Sequence, residues 1–206
     1  MKKLLIQLGL LIIVVFLSYK VYDSIMAPER YKNATVDREN IIIEKLNNIK
    51  VLQVEYKKLN YKYAASFDTL KEFYNTGMMP LILKTGVVPD TLNEEQALEM
   101  GIITRDTTLI AIKDTLLKDV ENFDISTINI VPFTQGKIQF EIETSSVDRA
   151  SFKVPVFEVR CYKKDYLAEI KEQELLQNDL NIFEEDGKFA GLKLGSLTEP
   201  STDGNW

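Results

Sequence analysis

A long uncharged apolar run near the amino terminus constrains this chain more than any other feature. Residues 4–17 carry no charge, and only one glutamine and one glycine interrupt their large apolar side chains. Apolar and aromatic residues remain frequent as far as Ile25. A helix needs roughly 20 mostly apolar residues to cross the core of a bilayer. We therefore predict a transmembrane anchor over residues 1–27, with membrane lipid as its partner.

The alternative interpretation of the run is a cleaved signal peptide, because its strictly uncharged stretch is short. Ala27 is small enough for a cleavage site, but Ile25 and the following Pro28 match such a site poorly. The uncleaved anchor is therefore favoured. Lys2 and Lys3 precede the run and favour a cytoplasmic amino terminus by the positive-inside rule. We expect a single-pass protein of the bacterial inner membrane, with the bulk of the chain in the periplasm.

A long amphipathic helix is predicted after the anchor. No Gly or Pro lies between residues 29 and 62, and Pro28 suits either the first turn of a new helix or a kink. Apolar residues recur from Ile42 to Tyr63 at spacings of three and four, which is the helical period. We predict a helical spine over residues 28–64.

The middle of this apolar stripe is the candidate interaction face. Its four members are aliphatic: Ile42, Leu46, Ile49 and Leu52. One interpretation is that the stripe packs on the chain's own globular part; the other is that its upper part, Val36–Ile49, packs against another chain. The wide apolar surface at Ile41–Ile43 favours an assembly, because a solitary rod gains nothing by exposing it to water. The expected partners are other envelope proteins or a second copy, through the spine.

Charge divides the chain into two parts. Residues 1–64 carry 11 basic and 6 acidic side chains, and residues 65–206 carry 14 and 25. The net charges are therefore +5 and −11, which sum to the −6 of the whole chain. The basic part suits an anionic lipid surface, and the acidic part repels the phosphates of nucleic acid. We expect no nucleic-acid partner.

Residues 65–206 are predicted to form a small acidic α+β head, in which short helices accompany an antiparallel sheet. Ser66 is the predicted cap of the first helix, and Thr91 or Asn93 the cap of the second. Helices are predicted at 67–74, 94–100 and 165–180. Strands are predicted at 81–84, 107–113, 128–131, 137–144, 151–162 and 192–194.

The clearest strand is 137–144, where apolar and polar residues alternate. It is expected to pair with 151–162 through a polar loop at 145–149. Pro155 cannot donate a backbone hydrogen bond, so it is expected to lie at a sheet edge or a bulge.

The residues with chemical potential are few. The chain has no histidine and one cysteine, which excludes a His-based triad, a His-ligated metal and a disulfide within one chain. Cys161 is expected to be a small apolar residue of a strand, either buried or at a sheet edge. The acidic turn 184–187 lacks the ligand order of a calcium loop and is interpreted as a solvated turn. We predict no catalytic site, no cofactor and no metal, and therefore not an enzyme.

Two resemblances add to these patterns. Residues 54–70, a tyrosine-bearing helix end followed by Ser-Phe-Asp-Thr-Leu, resemble the end of the N-terminal helix in pilins and type II secretion pseudopilins. Those proteins share an anchor, an extended helix and an antiparallel-sheet head. The Gly-Phe processing site and following glutamate of prepilins have no counterpart here, so such processing is not expected. The chain also resembles a family of uncharacterised single-span membrane proteins from Bacteroidota, at residues 66–70, 95–98, 191–199 and 204–206.

The expected function follows from the anchor, the spine and these resemblances. It is a membrane-anchored structural or interaction subunit of a cell-envelope assembly, with pseudopilin-like architecture. The alternative is a solitary anchored module whose acidic head binds a periplasmic ligand or partner protein.

Overall fold

One helix runs from the amino terminus into the head. The computed structural model describes residues 2–89, 93–121, 123–149 and 152–206. Helix α1 spans Lys2–Asn60, 59 residues, or about 90 Å at the α-helical rise. Pro28 lies inside it, so the predicted anchor and spine form one continuous helix. Tyr61, with a φ of 59°, ends the helix in a left-handed conformation.

The prediction of an α+β fold is confirmed: short helices and two small antiparallel sheets follow the long helix. The further helices are α2 (Phe67–Thr76), α3 (Glu94–Glu99), α4 (Lys163–Tyr166) and α5 (Gln173–Glu185). The strands are β1 (Met78–Thr85), β2 (Thr104–Ala111), β3 (Glu141–Arg149), β4 (Phe152–Tyr162) and β5 (Gly191–Gly195). Single turns of 3₁₀ helix occupy Ile112–Asp114 and Ile125–Thr127. One sheet contains β1 and β2, and the other has the order β3-β4-β5.

The core lies between the carboxyl half of α1 and the three-stranded sheet. Phe157 of β4 and Leu194 of β5 are fully buried in the same cluster as the apolar stripe of α1. After the end of α1, Tyr63 packs its ring 4.5 Å from that of Phe157, measured between centroids. The sheet buries one face against α1, because a three-stranded sheet cannot shield its own apolar face from water.

Local signals placed the ends of the short helices. The hydroxyl of Ser66 accepts a hydrogen bond from the Thr69 amide at 3.3 Å, and Gly77 follows the last residue of α2. Asn93 caps α3 in a reciprocal capping box with Gln96. The alternative cap, Thr91, lies outside the described residues.

The predicted strand 137–144 and loop 145–149 are displaced in the structure. Positive φ angles at Phe133, Gln135 and Gly136 form a turn, and the residues after it make only one bridge, between Ile130 and Gln139. The ladder of β3 begins at Glu141 and continues through the predicted loop. The predicted strand 128–131 is therefore wrong, because this segment contributes a single bridge and no ladder.

The predicted edge position of Pro155 is confirmed. It lies opposite Ser146 of β3, whereas β5 pairs only with the stretch of β4 from Glu158 to Tyr162. Within the described residues, no strand lies on the other side of Pro155, so its missing amide breaks no ladder.

The predicted helix 165–180 is two helices, α4 and α5, separated by a short connection. The side-chain amide of Gln173 donates to the carbonyl oxygens of Ala168 and Ile170 at 2.9 and 2.7 Å. These bonds satisfy backbone groups that a continuous helix would have paired internally. The uninterrupted helical propensity of this segment did not indicate the break.

Candidate interaction surfaces

The four predicted interface residues lie in the chain's own core. Ile42, Leu46, Ile49 and Leu52 have no exposed surface and belong to the cluster shared with the sheet. The interpretation in which the stripe packs on the head therefore describes the structure, and its assignment to a second chain is wrong. The physical reason is that each buried aliphatic side chain stabilises the fold by about 1.5–3 kcal/mol, and the sheet needs this second layer.

Polar side chains clamp α1 to the head beside this core. Tyr31 Oη and Lys163 Nζ both donate to Asp179 Oδ2, each at 2.7 Å. Tyr166 Oη donates to Glu39 Oε1 at 2.9 Å. Lys163 is buried, so its charge requires the carboxylate beside it. These contacts, which we call the polar clamp, join α1 to α4 and α5.

The pKa values within the polar clamp determine which of its groups are charged. Burial and the Asp179 carboxylate raise the pKa of Tyr31, and burial and the charge of Glu39 raise the pKa of Tyr166. Burial alone raises the pKa of Asp179, but the hydrogen bonds from Lys163 and Tyr31 outweigh it and lower that pKa below 3.8. Both phenols are therefore neutral and Asp179 is ionised at neutral pH, which suits a permanent ionic joint.

A second joint lies next to the apolar segment. Arg30 Nη2 donates to Asp23 Oδ1 at 2.6 Å, and Arg30 Nε donates to Glu172 Oε1 at 2.9 Å. The first bond spans Pro28, whose missing amide hydrogen removes a helical hydrogen bond. The second attaches the head about one and a half helical turns beyond Ile25. The head is thus held close to the end of the apolar segment.

The most exposed apolar surface of the head is a hairpin, residues 78–111, which we call the hairpin arm. Its strands pair antiparallel from Met78 with Ala111 to Thr85 with Thr104, and within the described residues neither has a second neighbour. Side chains alternate between the two faces of such a ribbon. Ile82 and Leu83, each 60% exposed, therefore project from opposite faces. The other large exposed apolar side chains of its strands are Met78, Leu81 and Leu109.

Ion pairs and a tight turn fix the end of the hairpin arm at which β1 ends and β2 begins. Glu94 of α3 forms ion pairs with Lys84 at 2.6 Å and with Arg105, which lie opposite each other on β1 and β2. Hydrogen bonds from these two cations lower the pKa of Glu94 to about 2. Gly86 has a φ of 109°, and a Cβ there would lie 2.4 Å from the Ile102 carbonyl oxygen. Glycine is therefore required at this turn.

A small cleft separates α1 from the segment before β3. Its volume is about 240 Å³, and its wall includes Lys45, Phe123 and Asp124. Lys45 Nζ donates to the Ile130 carbonyl oxygen at 2.8 Å, and burial lowers the pKa of its ammonium group. The lysine already has a partner within the chain, and the volume is below the roughly 300–1,000 Å³ of typical ligand sites.

Cys161 is buried in β4, as predicted. Burial raises the pKa of its thiol to about 12, so the thiol is protonated at neutral pH. Among the described residues, no three acidic or cysteine side chains converge in a way that would hold a metal ion.

The sequence patterns did not identify the hairpin arm. They predicted two separate shorter strands, 81–84 and 107–113, without pairing them. The available signal was that apolar residues occupy successive positions in Leu81–Leu83 and again in Leu109–Ala111. Such runs place apolar groups on both faces of a strand, which is unusual for a strand without flanking neighbours.

Comparison with known proteins adds no relative. The chain matches no protein-family model, no curated protein and no solved structure. Among the described residues, α1 is the one helix that is long and apolar enough to cross a membrane.

Proposed function

We propose that this chain is a membrane-anchored structural and interaction subunit of a bacterial cell-envelope assembly, with pseudopilin-like layout. Its apolar helical segment spans the inner membrane, with the amino terminus cytoplasmic and the head periplasmic. Every residue from Ile6 to Tyr22 is exposed in the isolated chain, as expected for a helix surrounded by lipid. The role involves no catalysis and no cofactor.

The hairpin arm is the observation that carries this proposal. A two-stranded ribbon alone is marginally stable, and its unpaired edges invite another strand. Apolar side chains on both faces add a large surface that water solvates poorly. Insertion into lipid is unfavourable, because open sheet edges leave backbone groups unsatisfied there. A protein that adds a strand to one edge and covers a face satisfies both requirements.

Site-specific photo-cross-linking in native membranes tests this role. A photoreactive residue replaces Ile82 in the hairpin arm or, as the matched control, Ile182 on α5, which is 57% exposed. We expect a discrete protein adduct at Ile82 and none at Ile182. The adduct should disappear when Leu109→Glu is added, because a carboxylate would then lie on the apolar face next to Ile82.

Two outcomes would contradict the proposal. One is an adduct pattern that is the same at both positions; the other is an Ile82 adduct that survives Leu109→Glu. The urea midpoint of the Leu109→Glu variant is measured in parallel, since Leu109 is exposed and its replacement should leave the fold intact. A solitary ligand-binding module predicts no adduct at the hairpin arm.

A further inference from the structure

We propose that two copies of this chain pair in parallel through the side of α1 that the head leaves uncovered. This inference goes beyond the proposed function, because it does not involve the hairpin arm or a different protein.

A heptad pattern marks this side of the helix. Asn33, Asn40 and Asn47 are each seven residues apart, and Val36 and Ile43 are interleaved with them at spacings of three and four. These are a and d positions of a heptad repeat, with asparagine at a and β-branched aliphatic residues at d, and it is the asparagines at a that favour two strands. We call these five residues the outer face.

Four of the five outer-face residues are exposed in the structure, whereas Ile43 also packs against the chain's own core. At 100° per residue, the outer face lies about 150° around α1 from the buried stripe that packs on the sheet. The three asparagines are exposed, Val36 is 47% exposed and Ile43 is partly exposed. The head thus covers one side of the helix and leaves most of this second stripe open, with Ile43 at the boundary between the two.

The chemistry of asparagine favours a second copy as the occupant. An amide side chain carries both donors and acceptors, so two identical amides that face each other can satisfy one another. In a parallel, in-register pair, every asparagine meets asparagine and every aliphatic residue meets its own counterpart. A shift of register by half a heptad would instead bury amides against Val36 or Ile43. Asparagine at a positions fixes register and strand number in this way, at a cost in stability.

The parallel direction rests on the proposed anchoring. Two copies inserted in the same membrane with the same orientation present their α1 helices side by side and in the same direction. Confinement to the bilayer also raises the effective concentration of one outer face near another. A short seam with three amides is then sufficient, although it would be weak between molecules free in solution.

One of the two pairs of flanking charges fits the same arrangement. Lys32 occupies a g position and Asp37 the e position five residues later, and both are exposed. In a parallel pair, g of one helix approaches that e of the other, so Lys32 lies near Asp37 of the second copy. The next pair, Glu39 at g and Glu44 at e, is acidic on both sides and opposes pairing, but Glu39 is already bound by Tyr166 of its own head.

Cysteine cross-linking of the full chain in lipid vesicles tests the pairing. Asn40→Cys places a thiol on the proposed seam, and Ile41→Cys places one about 100° away on an equally accessible side chain, 49% exposed. Cys161 is buried and remains in both variants. We expect Asn40→Cys to form a disulfide-linked dimer at least tenfold faster than Ile41→Cys under mild oxidation. Equal rates, or no dimer at Asn40→Cys, would overturn the proposal.

A second pair of variants separates a specific seam from random collision. Energy transfer between labelled copies in vesicles is measured for Asn40→Leu and Asn40→Asp. Leucine removes the polar cost at the a position, so the dimer fraction should rise at least threefold; aspartate places two like charges together, so it should fall by a similar factor. A dimer fraction unchanged by both substitutions refutes the seam. If Asn40→Cys in native membranes cross-links only to a different protein, the second copy is excluded as occupant.

Discussion

The Leu46→Ala substitution tests whether the apolar stripe of α1 packs in the chain's own core or against another chain. Leu46 has no exposed surface and lies in the cluster between α1 and the sheet. Truncation of a buried leucine to alanine removes its transfer free energy and leaves a cavity, at a cost of about 2–5 kcal/mol. A domain of this kind has a free energy of unfolding of about 5–15 kcal/mol. We therefore expect the variant to lose a large share of its stability.

Val51→Ala is the matched control on the same helix. Val51 is 40% exposed, so its truncation should lower the free energy of unfolding by less than about 1 kcal/mol. Unfolding of the full chain in mild detergent is followed by near-ultraviolet circular dichroism of the buried tyrosines during urea titration. With a slope of about 2 kcal/mol per molar urea, the Leu46→Ala midpoint should fall by roughly 1–2.5 M.

The reasoning would be refuted by equal midpoints for the two variants. It would also be refuted if Leu46→Ala kept the wild-type midpoint but changed the mass of the detergent-solubilised protein by light scattering. That result would mean that Leu46 lies at an interface between two chains and not in the core of one chain.

Three further predictions concern buried polar groups. Lys163→Met removes the ammonium group that pairs with Asp179 and should lower the free energy of unfolding by about 2–3 kcal/mol. The control is Lys164→Met, at the exposed neighbouring lysine, which should change the free energy of unfolding by less than about 0.5 kcal/mol in the same urea titration. The pKa of Asp179 is lowered in the folded chain, so the unfolded chain binds more protons in acid. The clamp's contribution to stability should therefore be lost as the pH falls below about 4. Lys163→Met should show a smaller loss than wild type, because only the Tyr31 hydrogen bond still lowers this pKa. Cys161, with its pKa near 12, should not react with a thiol reagent at pH 8 until urea unfolds the head, and prompt reaction of the native protein would contradict its burial.

The helical part of the fold could be predicted because its signals are local. The spacing of three and four in the stripe reports directly on one side of a helix, and Ser66 marks the start of α2 because its side chain caps the first turn. The same spacing did not distinguish the chain's own sheet from a second chain as the packing partner. Both surfaces are apolar, so only the tertiary structure decides between them.

The sheet was harder to predict because register depends on distant residues. Alternation begins at Lys137 in the sequence, but the turn that ends at Gly136 leaves the first residues after it with a single bridge. Pairing with β4 then determines where β3 ends. The polar clamp could not be predicted from the sequence either, since Tyr31 and Asp179 are far apart in the sequence and meet only when α5 packs against α1.

Because α1 is continuous, its apolar amino-terminal segment and the part that carries the head move together as one rigid rod. Arg30 joins the helix on both sides of Pro28 and also holds the head through Glu172. From Ile25 to Asn60 the helix measures about 50 Å, so a change of about 20° in the tilt of the membrane segment would carry its far end sideways by roughly 17 Å. Tilt responds to bilayer thickness. In the proposed membrane setting, a change in bilayer thickness would thus change the lateral distance between the head and the point where α1 leaves the membrane.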